Sequence, residues 1–161
     1  MATLLENALA RMKTDIEAMT TVGGYNHTWG TCNQPDEALV TVRQYALIEF
    51  MDEECLDDIT TAHAQSYHNQ ANVRITVYPE LTTETSIPNW SIESKILRCM
   101  DDLKEVFGND YTLNGTIDYI QYRRTPNIYT HSSGDRFVPK KFETLWEVYY
   151  HQDRLTPTYH G

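Results

Sequence analysis

Phe142-Glu143-Thr144-Leu145-Trp146-Glu147-Val148-Tyr149-Tyr150-His151 alternates from end to end. Phe142, Thr144, Trp146, Val148 and Tyr150 share one parity; Glu143, Leu145, Glu147, Tyr149 and His151 share the other. A side-chain period of two predicts a strand. Bulky groups lie on both parities, so a sheet with helices on one face would leave Leu145 and Tyr149 wet. Something is expected to cover them: the chain's own tail, the 22–37 loop or another subunit.

Upstream, Asn72 to Tyr78 sets Val73, Ile75 and Val77 against Arg74 and Thr76 and stops at Pro79, which predicts a second strand. Val40 to Met51 alternates less cleanly, with Val42, Ala46, Ile48 and Phe50 in step. A turn at Asn114-Gly115 precedes a further strand over Thr116 to Arg123. Two segments follow the helical period instead. Ile92, Ile96, Met100, Leu103 and Phe107 make one stripe, after a breaker and cap at Pro88-Asn89-Trp90-Ser91 and before Gly108 in the place of a C′ glycine. Leu5, Leu9, Met12, Ile16 and Met19 make the other, closed by Thr20, Thr21, Gly23 and Gly24. Residues 22–37 and 125–141 read as irregular, the acidic and polar run 52–70 as a long loop or short helix, and 152–161 as a flexible tail. The expected fold class is α+β in the order α-β-β-α-β-β. It is a single domain over 1–161, a four-stranded, mostly antiparallel sheet with two helices packed on one face.

Thirteen basic against 23 acidic residues give a net charge of −10 in 161 residues. Phosphate contacts dominate nucleic-acid affinity, so this balance argues against a nucleic-acid binder, and equally against docking on anionic lipid. No apolar run approaches the ~20 residues of a membrane span. The first residues lack a basic region and carry Glu6, so no signal peptide is expected. Cys32, Cys55 and Cys99 are far apart and include no CxxC, which points to reduced thiols and not to a zinc or disulfide framework.

The chain has no phosphate loop, GxGxxG, HExxH or GxSxG. His63 and His68 are five apart, off-register for one helical face, and with Asp57 and Asp58 offer a metal set; solvated loop histidines are the plainer reading. Asp52, Glu53, Glu54, Asp57 and Asp58 would need burial to act as an acid–base set, and a solvated acidic loop is expected instead. Cys99 sits beside the second helix's stripe, at the core edge. Tyr122-Arg123-Arg124 is a basic spot, either a surface cluster or the partner of an acidic neighbour. The Asn26, Asn89 and Asn114 glycosylation triplets matter only in a secreted context. No catalytic, cofactor-binding or metal-ligating residue is therefore assigned, no cofactor is expected, and the chain is read as not an enzyme. Its 11 tyrosines and three tryptophans point instead to assembly. Tyr25, Trp29, Trp146, Tyr149 and Tyr150 are the expected subunit or partner contacts.

The order of elements resembles the tail terminator (tail completion, neck) proteins of tailed bacteriophages. The likeness rests on Ile16 to Met19 running into Gly23-Gly24-Tyr25 and on Pro35 followed by the strand Ala46 to Met51. It continues with the long helix Ser91 to Phe107 before Leu113-Asn114-Gly115, and with the aromatic strand Phe142 to His151 before Leu155-Thr156-Pro157. The resemblance implies a structural virion protein assembled in a bacterial host's cytoplasm. Six copies would form a ring that caps the tail tube, ends its polymerisation and docks the head–neck connector. The implied partners are a second copy of the chain, the tail tube protein, the neck or connector protein and, where present, a sheath. DNA would pass through the lumen without specific binding, past an acidic loop at Asp52, Glu53, Glu54, Asp57 and Asp58. Competing expectations are a head–tail connector, stopper or other neck protein, an acidic DNA-mimic inhibitor, and a small metal-dependent hydrolase.

Overall fold

The computed structural model describes residues 2–32, 44–56, 66–79, 92–126, 128–133 and 136–153. Among the described residues two helices and six strands follow one another: α1 (Leu4–Glu17), β1 (Trp29–Thr31), β2 (Gln44–Cys55), β3 (Ser66–Tyr78), α2 (Ile92–Asn109), β4 (Tyr119–Arg124), β5 (Ile128–Ser133) and β6 (Arg136–Asp153). The class is α+β. The sheet runs β1-β2-β3-β6-β4, with β5 also paired to β6. Every pair is antiparallel except β1 with β2.

Where four strands were expected, the described residues form six. β1 arises in the 22–37 segment read as irregular, where Trp29 to Thr31 lie parallel to Gln44 to Ala46. β5 arises in the 125–141 segment, zipped onto Arg136 to Phe142 with a bulge at Lys140, next to Pro139. A proline removes a ladder donor, and a bulge is where a strand tolerates that loss. Within the predicted tail, Gln152 and Asp153 belong to β6; the rest lies outside the described residues.

One face of the sheet carries the core. Ala46, Val73, Ile75, Val77, Phe142, Trp146, Val148 and Tyr150 pack with Ala8, Met12 and Ile16 of α1 and with Ile96, Cys99, Met100, Leu103 and Phe107 of α2. Both predicted helical stripes therefore land on the same side of the sheet, as the alternation of β6 requires. α1 begins with a capping box: the Thr3 hydroxyl accepts from the Glu6 N–H at 3.1 Å, and the Glu6 carboxylate accepts from the Thr3 N–H at 2.6 Å. Such a box satisfies two of the N–H groups that a helix start leaves orphaned. α2 passes through Gly108 to Asn109, so Gly108 is not its C′ residue. Reversal comes later, where Leu113, Asn114 and Gly115 hold positive φ of 48°, 57° and 77°.

A carboxyl pair joins α1 to this turn. Arg11 Nε lies 3.1 Å from Asp15 and 2.8 Å from Asp110. Burial, then the hydrogen bond with Asp110 and its charge, lift the Asp15 pKa from 3.8 to about 7 against the pull of Arg11. Desolvation acts on Asp110 as well, but the Asn114 N–H, Arg11 and the Asp15 proton outweigh it and hold Asp110 low. A carboxyl with a raised folded pKa contributes stability that is complete below its unfolded pKa and lost as pH rises through the folded one. Wild type should therefore lose stability from about pH 4 to about pH 7. Asp15→Asn should flatten that slope in urea unfolding measured across the window. Equal slopes in both proteins would rule out the shared proton.

Candidate functional site

β2 and β3 run on as an antiparallel arm in which Phe50 to Cys55 of β2 and the following Leu56 are exposed while Asn69 and Ala71 of β3 stay buried. Tyr45 to Phe50 pair with Tyr78 to Val73, the register shifts between Phe50 and Asp52, and Asp52 to Cys55 then pair with Asn72 to Asn69. Met51 is the extra residue of this bulge, which reverses the alternation. Asp52 and Glu54 consequently share the face of Asn72 and Gln70, and Asn72 donates to the Asp52 carboxylate. The predicted acidic loop is therefore corrected: Asp52, Glu53 and Glu54 lie on a strand. Asp57 and Asp58 lie outside the described residues. The arm also exposes Phe50, Met51 and Leu56, 48%, 45% and 40% accessible. The sequence reading did not single these out, since scattered surface apolar residues carry no signal of their own.

The sheet's second face is polar and cross-linked. Arg74 contacts Glu49 at 3.2 Å and Glu143 at 3.9 Å. Arg123 contacts Glu147 at 3.0 Å, so that part of the predicted basic spot pairs within its own sheet. The Tyr149 hydroxyl donates to the same carboxylate at 2.5 Å, and the Tyr149 ring stacks on Tyr119 with centroids 4.4 Å apart. The hydrogen bond to Glu147, then burial, push the Tyr149 pKa up to about 12. Tyr149 is covered by its own β4 neighbour. Leu145 is half-buried.

The other expected contact aromatics lie inward. Trp29, Trp146 and Tyr150 are 1%, 2% and 3% exposed in the single chain. These three pack in the core of the single chain, where the sequence reading expected contacts. Tyr25 is half-buried against the same core. Trp146 meets Phe107 and Tyr122 edge-on, at 5.0 Å and 5.4 Å, and its indole N–H donates to Thr144 at 2.8 Å.

Trp29 is held from α2. Asp102, fully buried, accepts from the Asn26 N–H and side-chain amide, the His27 N–H and the Trp29 indole, all at 2.8–3.1 Å. Burial alone would raise the pKa of this carboxyl. The hydrogen bonds from His27, Trp29 and Asn26 outweigh it and hold the group below the usual carboxylate range. Nothing in the sequence marks Asp102 apart from Asp101; only its place over the 25–29 segment does.

A shallow cleft of about 210 Å³ is lined by Leu9, Ala10, Lys13, Thr31, Cys32 and Ile48. It brings one amine beside one buried thiol and offers no acid–base pair. Of the sequence's metal set, His63, Asp57 and Asp58 lie outside the described residues, while His68 stands on β3 opposite His151. No helix among the described residues is long and apolar enough to cross a membrane. No family model matches the chain, and no curated protein matches it.

Proposed function

We propose that this chain is the subunit of a closed ring of the phage tail-terminator kind, a structural virion protein and not an enzyme. Six copies cap the tail tube, end its growth and present a docking face to the neck connector. The observation that carries the reading is the β2–β3 arm, which exposes Phe50, Met51 and Leu56 directly beside Asp52, Glu53 and Glu54. Apolar side chains exposed along an outer strand among charged residues are the composition of a contact surface. In a cyclic ring each subunit needs two different patches, and an arm reaching onto a neighbour's body supplies one of them. The net charge of −10 supports a lumen that DNA crosses without being held, because acidic walls repel phosphate. A connector or stopper ring is the second reading, and the partner bound, tail tube or connector, separates the two.

Native mass spectrometry across a concentration series, alone and with tail tubes, tests the proposal. Six copies of the 18.7-kDa chain, roughly 112 kDa, should appear and image as rings with a central hole. Phe50→Ser with Leu56→Ser should weaken association by about 2 kcal/mol or more and leave a folded monomer. A wild type that stays monomeric under every condition, tubes included, removes the ring.

A further inference from the structure

We propose that His68, His151 and Asp118 form a binding site for one divalent transition-metal ion of the zinc type. The site is independent of the ring reading. His68 on β3 and His151 on β6 are register partners, so their side chains leave the same face of the sheet side by side. The rings lie 4.3 Å apart and within 4° of parallel. Asp118 stands just before β4, its N–H donating to the Tyr149 carbonyl at 2.9 Å, which ties its backbone to β6. Its Oδ2 lies 2.5 Å from His151 Nδ1. One ligand atom from each residue falls within 4.8 Å of the other two.

Two imidazoles and a carboxylate are the donor set of zinc sites that keep an open position, and of mononuclear non-haem iron sites. Imidazole ligands favour zinc, cobalt, nickel or copper over magnesium and calcium. Metal–ligand bonds of about 2.0–2.2 Å need the three ligand atoms closer than 4.8 Å, so the cluster contracts on binding. Parallel rings cannot both aim a lone pair at one ion. One ring must turn about its Cβ–Cγ bond, and the Asp118–His151 contact is exchanged for two bonds to the metal. The side chains of His151 and Asp118 are 51% and 39% exposed, which leaves room for that turn and for water or a foreign ligand in the open position. The pairing of His68 with residues 50 and 83 positions away was invisible in the sequence, because only the sheet register brings them together.

Cobalt(II) is the probe. The full chain, freed of metal by chelator and dialysis, is titrated with cobalt by visible absorption and then challenged with zinc. One saturating equivalent, with a d–d band bleached by zinc, is expected. Removing a direct ligand should cost at least what losing an outer partner does, roughly 10–100-fold in affinity. His68→Gln and His151→Gln should both show that loss, Asp118→Asn should weaken binding in the same direction, and His131→Gln, whose residue pairs with Val138 at the other end of β6, should match wild type. At a fixed zinc concentration the thermal midpoint should rise fully in wild type and His131→Gln and less in the other three, as a ligand bound to the folded state requires. Circular dichroism establishes that each variant is folded, and His68→Gln alone decides the matter should His151→Gln fail to fold. Absence of a saturable equivalent, or undiminished binding in a folded His68→Gln, overturns the site.

Discussion

Asp102→Ala is expected to cost about 3–5 kcal/mol of folding stability, the scale for breaking a buried charge's partnerships. Asp102 has no exposure and collects four hydrogen bonds from a segment more than 70 residues away. Alanine leaves two backbone N–H groups, an amide and an indole N–H facing a void. Each buried donor so stranded costs on the order of 1–3 kcal/mol, less whatever entering water restores. Asp102→Asn should fall between the two proteins, since one oxygen remains while the new NH2 faces donors. Urea unfolding followed by tryptophan fluorescence measures both; a loss below about 1 kcal/mol in Asp102→Ala would mean the 25–29 segment is held by something else. The pH dependence has the opposite sign to that of Asp15. A carboxyl held low in the folded state contributes stability above its unfolded pKa and loses it as pH falls through the folded value. Acid therefore loosens the Asp102 hub while it strengthens the Asp15–Asp110 contact.

Trp146→Ala should be comparably damaging, by about 3–5 kcal/mol, the range for truncating a large aromatic in a core. Trp146 is 2% exposed and sits between Phe107 of α2 and Tyr122 of β4, so its loss opens a cavity where helix and sheet meet. The variant distinguishes the two places this residue was given. A core residue lowers the unfolding midpoint at every protein concentration. A contact residue lowers association and leaves the monomer's midpoint alone. Unfolding and sedimentation, measured on the same samples, separate them. An unchanged monomer midpoint with lost association would return Trp146 to an interface.

β6 and the two helices were legible because burial of one face imposes a period, and the period is what a sequence displays. Ser66 to Asn72 and Asp52 to Cys55 were not, because the buried face of β3 carries only Ala71 and Asn69 there and the bulge at Met51 breaks the period of β2, although the backbones pair. β1 was too short to show a period, and its order comes from β2 alongside it and from Asp102 behind it. The aromatics told the size of what must be covered but not what covers it. Trp29, Trp146 and Tyr150 turned out to be covered by the chain itself, and Tyr149 by Tyr119. The charged residues carried even less: Arg74 and Arg123 find Glu49, Glu143 and Glu147 only through strand register.

β3 and β6 hold twelve successive register pairs, Ser66 with Asp153 through Val77 with Phe142, without a shift. At about 3.4 Å per residue this makes a ribbon about 40 Å long. Bending in a sheet concentrates at bulges, and this pair has none, whereas β2 and β4 beside it each have one. The ribbon is therefore a stiff beam with compliant flanks. A load applied at the arm's tip is carried to Val77 and Phe142 under the helices, while the bulged strands yield around it.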